Sequence, residues 1–122
     1  MKILGIDDNQ DLLDLCDVAL ESDGHEYTGV STGKEGLQLI RDKQYDIVLL
    51  DLSMPDFSGV DVVDVLVEEG IIRKQKIVIF TASSATEKEY APLLERGAHS
   101  IVKKPLDVDD LLECINKVAE SD

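Results

Sequence analysis

The chain has 122 residues, 43% of them hydrophobic and 31% charged, and a formal net charge of -14. That length makes one ordinary domain able to bury roughly two-thirds of its unfolded surface, and the composition excludes a disordered chain. The acidic balance argues against direct binding to nucleic acid or to an anionic membrane, since both rely on Lys and Arg meeting phosphates.

Lys2–Ile6 is the first short apolar run, and it ends in Asp7-Asp8. Runs this short, rich in Ile, Val and Leu and separated by helix-length segments, predict buried parallel strands. Asp8-Asn9-Gln10-Asp11 supplies acceptors for a helix amino terminus, and Leu12, Leu13, Cys16, Ala19 and Leu20 follow at helical spacing. Ser22-Asp23-Gly24 ends that helix. Glu26–Val30 is a weaker strand, and Thr32-Gly33-Lys34-Glu35 opens a helix carrying Leu37, Leu39 and Ile40.

Asp46–Leu50 is the clearest strand and delivers Asp51. Val60–Glu69 alternates enough to pass for a strand, and its valines lower helix propensity. Two parallel strands need a crossover between them, however, so a helix is predicted there. Lys76–Phe80 runs into Thr81. Glu87–Arg96 predicts a helix closed by Gly97, kinked or started late because Pro92 removes a ladder bond and clashes with the preceding turn. Ser100–Val102 runs into Lys103-Lys104-Pro105, and Asp107-Val108-Asp109-Asp110 caps a last helix burying Leu111, Leu112, Ile115, Val118 and Ala119.

Five βα units in a single domain over 1–122 are therefore expected, with no linker and no room for an output domain. The amino-terminal apolar stretch is too short for a signal peptide, and no run reaches transmembrane length. A cytoplasmic setting follows, with Cys16 and Cys114 as reduced thiols. His25 and His99 read as surface or turn residues, and Tyr27, Tyr45 and Tyr90 as packing residues.

The strand ends carry the chemistry. In an open α/β sheet, ligands bind beyond the carboxyl ends of the strands. Asp7, Asp8, Asp51, Thr81 and Lys104 should all meet there. Carboxylates with room for water suit a hard octahedral cation such as Mg²⁺. A cation is also needed: unit charges ~4 Å apart repel by about 4 kcal/mol at an effective dielectric near 20. With the charge balanced, Asp51 stays ionised and is a candidate nucleophile toward phosphorus. Lys104, and the Thr81 hydroxyl with the Ala82 backbone N–H, would each take one oxygen of a transferred phosphoryl group.

With these residues the chain resembles a stand-alone, chemotaxis-regulator-like receiver domain of two-component response regulators. The motif is Asp7-Asp8, Asp51-Leu52-Ser53-Met54-Pro55 leading to Gly59, then Thr81-Ala82, Gly97-Ala98 and Lys104-Pro105 in order. The resemblance implies an α/β, flavodoxin-like, doubly wound five-stranded parallel sheet of order 2-1-3-4-5 with five helices. It implies that Asp51 accepts a phosphoryl group from a kinase phosphohistidine. Asp8 and Asp51 would ligate Mg²⁺ directly, Asp7 through water, and Ser53 through its backbone carbonyl. Thr81 and Lys104 would read the phosphoryl group, and the Lys104-Pro105 bond would be cis.

Its partners would be a sensor histidine kinase or phosphotransfer protein and an unknown downstream protein, with the chain a monomer or weak dimer. It would catalyse only its own phosphorylation and dephosphorylation. Two features depart from the family: Ile101 stands where it usually carries Tyr or Phe, and Pro92 lies inside a helix of its usual signalling face. Rival readings are a non-phosphorylated interaction module and an aspartyl-phosphate phosphotransferase. The latter usually needs an acid where this chain has Ser53.

Overall fold

The structure is a computed structural model that describes residues 1–82, 84–104 and 107–121. Its five strands are β1 (Lys2–Ile6), β2 (Glu26–Val30), β3 (Ile47–Asp51), β4 (Lys76–Thr81) and β5 (Ser100–Lys103). They alternate with helices α1 (Gln10–Ser22), α2 (Gly33–Asp42), α3 (Gly59–Glu68), α4 (Glu87–Arg96) and α5 (Val108–Glu120). All neighbours pair in parallel, in the order β2-β1-β3-β4-β5. The predicted doubly wound sheet is present. Three strands end one residue later than expected, so that Asp51 closes β3, Thr81 closes β4 and Lys103 closes β5.

Strand alternation sorts the core into two layers. Leu4, Ile6, Val48, Leu50, Ile77 and Ile79 face α2, α3 and α4, where Leu37, Ile40, Val62, Val63, Leu66 and Leu93 meet them. Ile3, Ile47, Leu49, Val78 and Phe80 face α1 and α5, against Cys16, Ala19, Leu20, Leu111, Ile115 and Val118. Every residue of β3 is buried, as expected for the strand with sheet on both sides and helices on both faces. Each fully buried Val, Leu or Ile contributes about 1.5–3 kcal/mol, so this central strand anchors the fold.

Local signals begin the helices. Asn9 accepts from the Leu12 N–H at 3.3 Å to cap α1, and Thr32 accepts from Glu35 at 3.2 Å to cap α2. Ser58 and Asp61 form a reciprocal capping box at α3, and Asp107 caps α5 through the Asp110 N–H at 2.8 Å. In a parallel α/β fold every helix carboxyl end points away from the strand tips. Arg41, Arg96 and Lys117 sit in those last turns, where a cation complements the helix dipole.

The helix over Glu87–Arg96 starts before Pro92 and runs through it, so the late start anticipated from proline does not occur. His99 is also less superficial than its sequence context implied. It is half-buried, with Nδ1 against the Ser100 hydroxyl and Nε2 2.6 Å from the Ser121 hydroxyl. Burial and the nearby Lys76 ammonium hold its pKa below the ordinary histidine value. Lys76 donates to the Val118 carbonyl at 2.8 Å and also to that of Ser121, tying the end of α5 to the start of β4.

Tyr27 packs across a trough made by two glycines in register, Gly5 of β1 and Gly29 of β2. A Cβ on Gly5 would lie 2.1 Å from the Tyr27 hydroxyl oxygen, so only glycine fits beneath the ring. The hydroxyl is shielded from solvent, and burial drives its pKa upward. Burial likewise pushes the neighbouring Cys16 thiol up to about 11, which keeps it protonated and unreactive.

Candidate functional site

The order β2-β1-β3 means that the chain winds outward from β1 to β2 and then resumes on the other side of β1. The crevice of such a sheet lies where the winding reverses, beyond β1 and β3. Asp7 and Asp8 follow β1 there, and Asp51 ends β3. Asp7 is 4% exposed and Asp51 5%, so both carboxylates leave water on folding, whereas Asp8 stays exposed.

One carboxylate oxygen from each of Asp7, Asp8 and Asp51 falls within 4.8 Å of the others. The backbone fixes two of them. Asp7 accepts the Asn9 N–H at 2.9 Å while Asp51 accepts the Ser53 N–H at 3.4 Å. Lys104 reaches over from the end of β5 and donates to Asp7 at 2.9 Å and to Asp51 at 3.3 Å. Its own backbone N–H donates to the Thr81 carbonyl at 2.7 Å, so the ends of β4 and β5 are tied next to the carboxylates.

Burial and the neighbouring Asp7 raise the Asp51 pKa above the usual carboxylate value, against the pull of Lys104. Burial alone would lower the Lys104 ammonium, but Asp7 and Asp51 together hold it above the ordinary lysine value. One ammonium against three carboxylates leaves the cluster short of positive charge. An all-oxygen donor set of this charge fits a hard divalent cation such as Mg²⁺, with Asp7, Asp8 and Asp51 as its holders.

The loop after Asp51 is drawn in tightly. Phe57 donates to Pro55 at 2.7 Å around Asp56, whose φ of 65 is the one positive value at a non-glycine among the described residues. Gly59 then donates to the Leu52 carbonyl at 3.1 Å and opens α3. A Cβ on Gly59 would stand 2.3 Å from the Asp51 carbonyl oxygen and 2.8 Å from the Leu52 Cα. The helix therefore abuts the peptide that carries the central carboxylate.

Sequence reasoning placed Asp7, Asp8, Asp51 and Lys104 together, and the structure brings all four into one cluster. Thr81 is buried at the end of β4 and Ala82 is exposed just beyond it. Ser53 is exposed two residues after Asp51. The expected cis Lys104-Pro105 bond lies outside the described residues. Ile101 is half-buried, in register with Ile79, and packs on the core layer shared by α2, α3 and α4. The Asn9 N–H on Asp7 and the close approach of Gly59 to Asp51 were not anticipated. Asn9 was legible only as a cap, and the glycine's role arises from packing between segments.

The chain is similar to known proteins in sequence and in fold. The family described as "Response regulator receiver domain" matches residues 3–116. Response regulator SaeR of Staphylococcus aureus is 31% identical over 119 residues, covering 95% of this chain and 49% of that protein. The chain thus spans about half the length of the curated relatives it matches. A CheY-like response regulator receiver domain protein from Methanospirillum hungatei superposes with a TM-score of 0.85 at 29% identity, covering 98% of this chain and 94% of that one. Response regulator TrrA from Thermotoga maritima, solved in complex with Mg²⁺-BeF, gives a TM-score of 0.78 at 30% identity over 96% of this chain and 97% of that one.

Proposed function

The chain belongs to the response regulator receiver domain family, and on that premise we propose that Asp51 takes its phosphoryl group from the phosphohistidine of a sensor kinase or phosphotransfer protein. The observation that carries this reading is the buried Asp51 carboxylate held 3.3 Å from the Lys104 ammonium, with Asp7 and Asp8 beside it. Asp51 stands at the end of a fully buried strand, so its carboxylate is positioned before any donor arrives.

In the transfer, an Asp51 carboxylate oxygen forms a bond to phosphorus as the bond from phosphorus to the donor imidazole nitrogen breaks. The electron pair of the broken bond stays on the imidazole. Lys104 balances charge on one phosphoryl oxygen, and the Thr81 hydroxyl with the Ala82 N–H takes another. Asp7, Asp8, Asp51 and the Ser53 carbonyl would hold Mg²⁺, which would supply positive charge to offset the charge of the phosphoryl group. The chain acts only on its own phosphorylation and dephosphorylation, as one receiver unit over 1–122, a monomer or weak dimer signalling in the cytoplasm to a protein target. No helix among the described residues is long and apolar enough to cross a membrane.

The test is incubation with Mg²⁺ and acetyl phosphate followed by intact mass. A single phosphoryl adduct is expected. Turnover of a small phosphorylated substrate would favour a phosphotransferase instead, and absence of any adduct an inert interaction module.

A second expectation concerns the metal-free charge cluster. Binding of Mg²⁺ relieves repulsion among Asp7, Asp8 and Asp51, and at ten times its dissociation constant a ligand adds about 1.4 kcal/mol. The melting temperature should rise with Mg²⁺ in the native chain and rise much less in Asp8→Ala. Equal shifts in the two proteins would place the metal elsewhere.

A further inference from the structure

The hydroxyl of Tyr27 is not explained by packing. Its oxygen is buried and has no hydrogen-bond partner among the described residues. Burial keeps the phenol protonated, and so a donor. The Cys16 thiol beside it is only a weak acceptor. A buried donor left unpaired costs free energy, and native proteins keep few of them. Phenylalanine would fill the trough over Gly5 and Gly29 without burying a hydroxyl. The trough accounts for the ring and not for the oxygen.

The position of that oxygen relative to β1 supplies a reason. A Cβ on Gly5 would meet the Tyr27 hydroxyl oxygen at 2.1 Å and its Cζ at 2.8 Å, so the hydroxyl end of the ring stands over Gly5. Alternate residues of an extended chain face the same side. The Asp7 N–H donates to the Val30 carbonyl at 3.1 Å, which carries the ladder one residue past the end of β1. Asp7 is therefore the next side chain beyond Gly5 on the face that the phenol covers. Tyr27 and Asp7 both line one small cavity, together with Gly5, Cys16, Leu49 and Phe80. The space in it open to the centre of a water molecule is about 10 Å³, which admits a single water.

The partners that such a water needs are all in the wall. The phenol donates to it. The Asp7 carboxylate takes the Asn9 N–H and the Lys104 ammonium and still has lone pairs to accept from water, and Cys16 is a weak third partner. We propose that one buried water joins the Tyr27 hydroxyl to Asp7, making Tyr27 a positioning residue for the carboxylates that hold the cation. This rests on the reading of Asp7 as a holder of Mg²⁺. Asn9 orients Asp7 from the backbone and Lys104 from the end of β5, and the water adds a donor from the core. With three donors in place the carboxylate is oriented before the cation arrives. Groups that stand behind a metal ligand in this way tune its affinity.

Tyr27→Phe tests this, because it removes the oxygen and keeps the ring in its trough. Affinity for Mg²⁺, read from amide shifts during titration, should fall about tenfold, the low end of what is lost when a group supporting a metal ligand is removed. A purely structural role would lower the melting temperature and leave that affinity alone. In the native chain the Tyr27 hydroxyl proton, sheltered from exchange, should give its own resonance and show magnetisation transfer to a long-lived water. The Asp7 carboxyl carbon should shift in Tyr27→Phe even without Mg²⁺. A phenol proton in contact with the Cys16 thiol and with no water, or unchanged Mg²⁺ affinity in Tyr27→Phe, would each overturn the proposal. A native chain that binds no Mg²⁺ overturns the metal assignment and the positioning role with it.

Discussion

Asp51→Asn is expected to form no adduct with acetyl phosphate and Mg²⁺, while the chain stays folded. An amide oxygen carries no net charge and is a poor nucleophile toward phosphorus, so the attacking group is lost outright. No neighbour replaces it. Asp7 is committed to the Asn9 N–H and to Lys104, and Asp8 is exposed and receives no bond from Lys104 among the described residues. An adduct surviving at full yield would move the phosphoacceptor to another residue.

The same variant has a second readout. Burial and Asp7 raise the folded pKa of Asp51, so protonated Asp51 favours the fold and ionised Asp51 opposes it. The stability that Asp51 contributes is complete below its unfolded value and is lost as pH rises through the raised folded value. In a chelating buffer Asp51→Asn should therefore melt above the native chain at neutral pH, with the gap closing as the solution is acidified into the carboxylate range. A gap that does not depend on pH would assign the gain to packing and not to charge.

Gly59→Ala should damage both the fold and the site. The added methyl would stand 2.3 Å from the Asp51 carbonyl oxygen and 2.8 Å from the Leu52 Cα, both backbone atoms that cannot swing aside. Overpacking of this kind costs about 2 kcal/mol, and the relief comes from moving the peptide that positions the nucleophile. Adduct formation should slow by about 100-fold, as expected when a reacting group is misplaced by roughly an ångström. Gly70→Ala is the control. A Cβ there meets nothing within 4 Å, although the φ of +71 strains any side chain. Its cost should be about 1 kcal/mol, with phosphorylation unchanged. Normal phosphorylation in Gly59→Ala would show that the loop absorbs the methyl without disturbing Asp51.

Most of the fold was legible because β1, β3 and β4 are buried on both faces and read as uninterrupted apolar runs. The helix over Gly59–Glu68 was ambiguous from its valines alone, and the need for a crossover resolved it. The site was legible for a related reason: parallel strands bring their last residues to one edge, so Asp7, Asp51 and Lys104 could be placed together before any contact was known. What stayed hidden depends on contacts between distant segments. The approach of Gly59 to Asp51, the ring of Tyr90 under Lys103 and the half-burial of His99 leave no periodic trace. At Pro92 the sequence left a kink or a late start open, and the turn before it forms, so the helix begins at Glu87.

The pairing of Tyr27 with Gly5 and Gly29 restricts how this chain can change over generations. A side chain gained at Gly5 would collide with the tyrosine hydroxyl at 2.1 Å, and one at Gly29 would press on the same ring at 3.2 Å. Gly5 cannot be replaced while the tyrosine stands, and a replacement at Gly29 requires the ring to give by a few tenths of an ångström. Shrinking Tyr27 first leaves a void over two bare strands, and such cavities cost several kcal/mol, about 3–5 for a large aromatic cut to alanine. The route from this arrangement to one with ordinary side chains on β1 and β2 therefore passes through a poorly folded intermediate. Tyr27 and Gly5 therefore persist or disappear together.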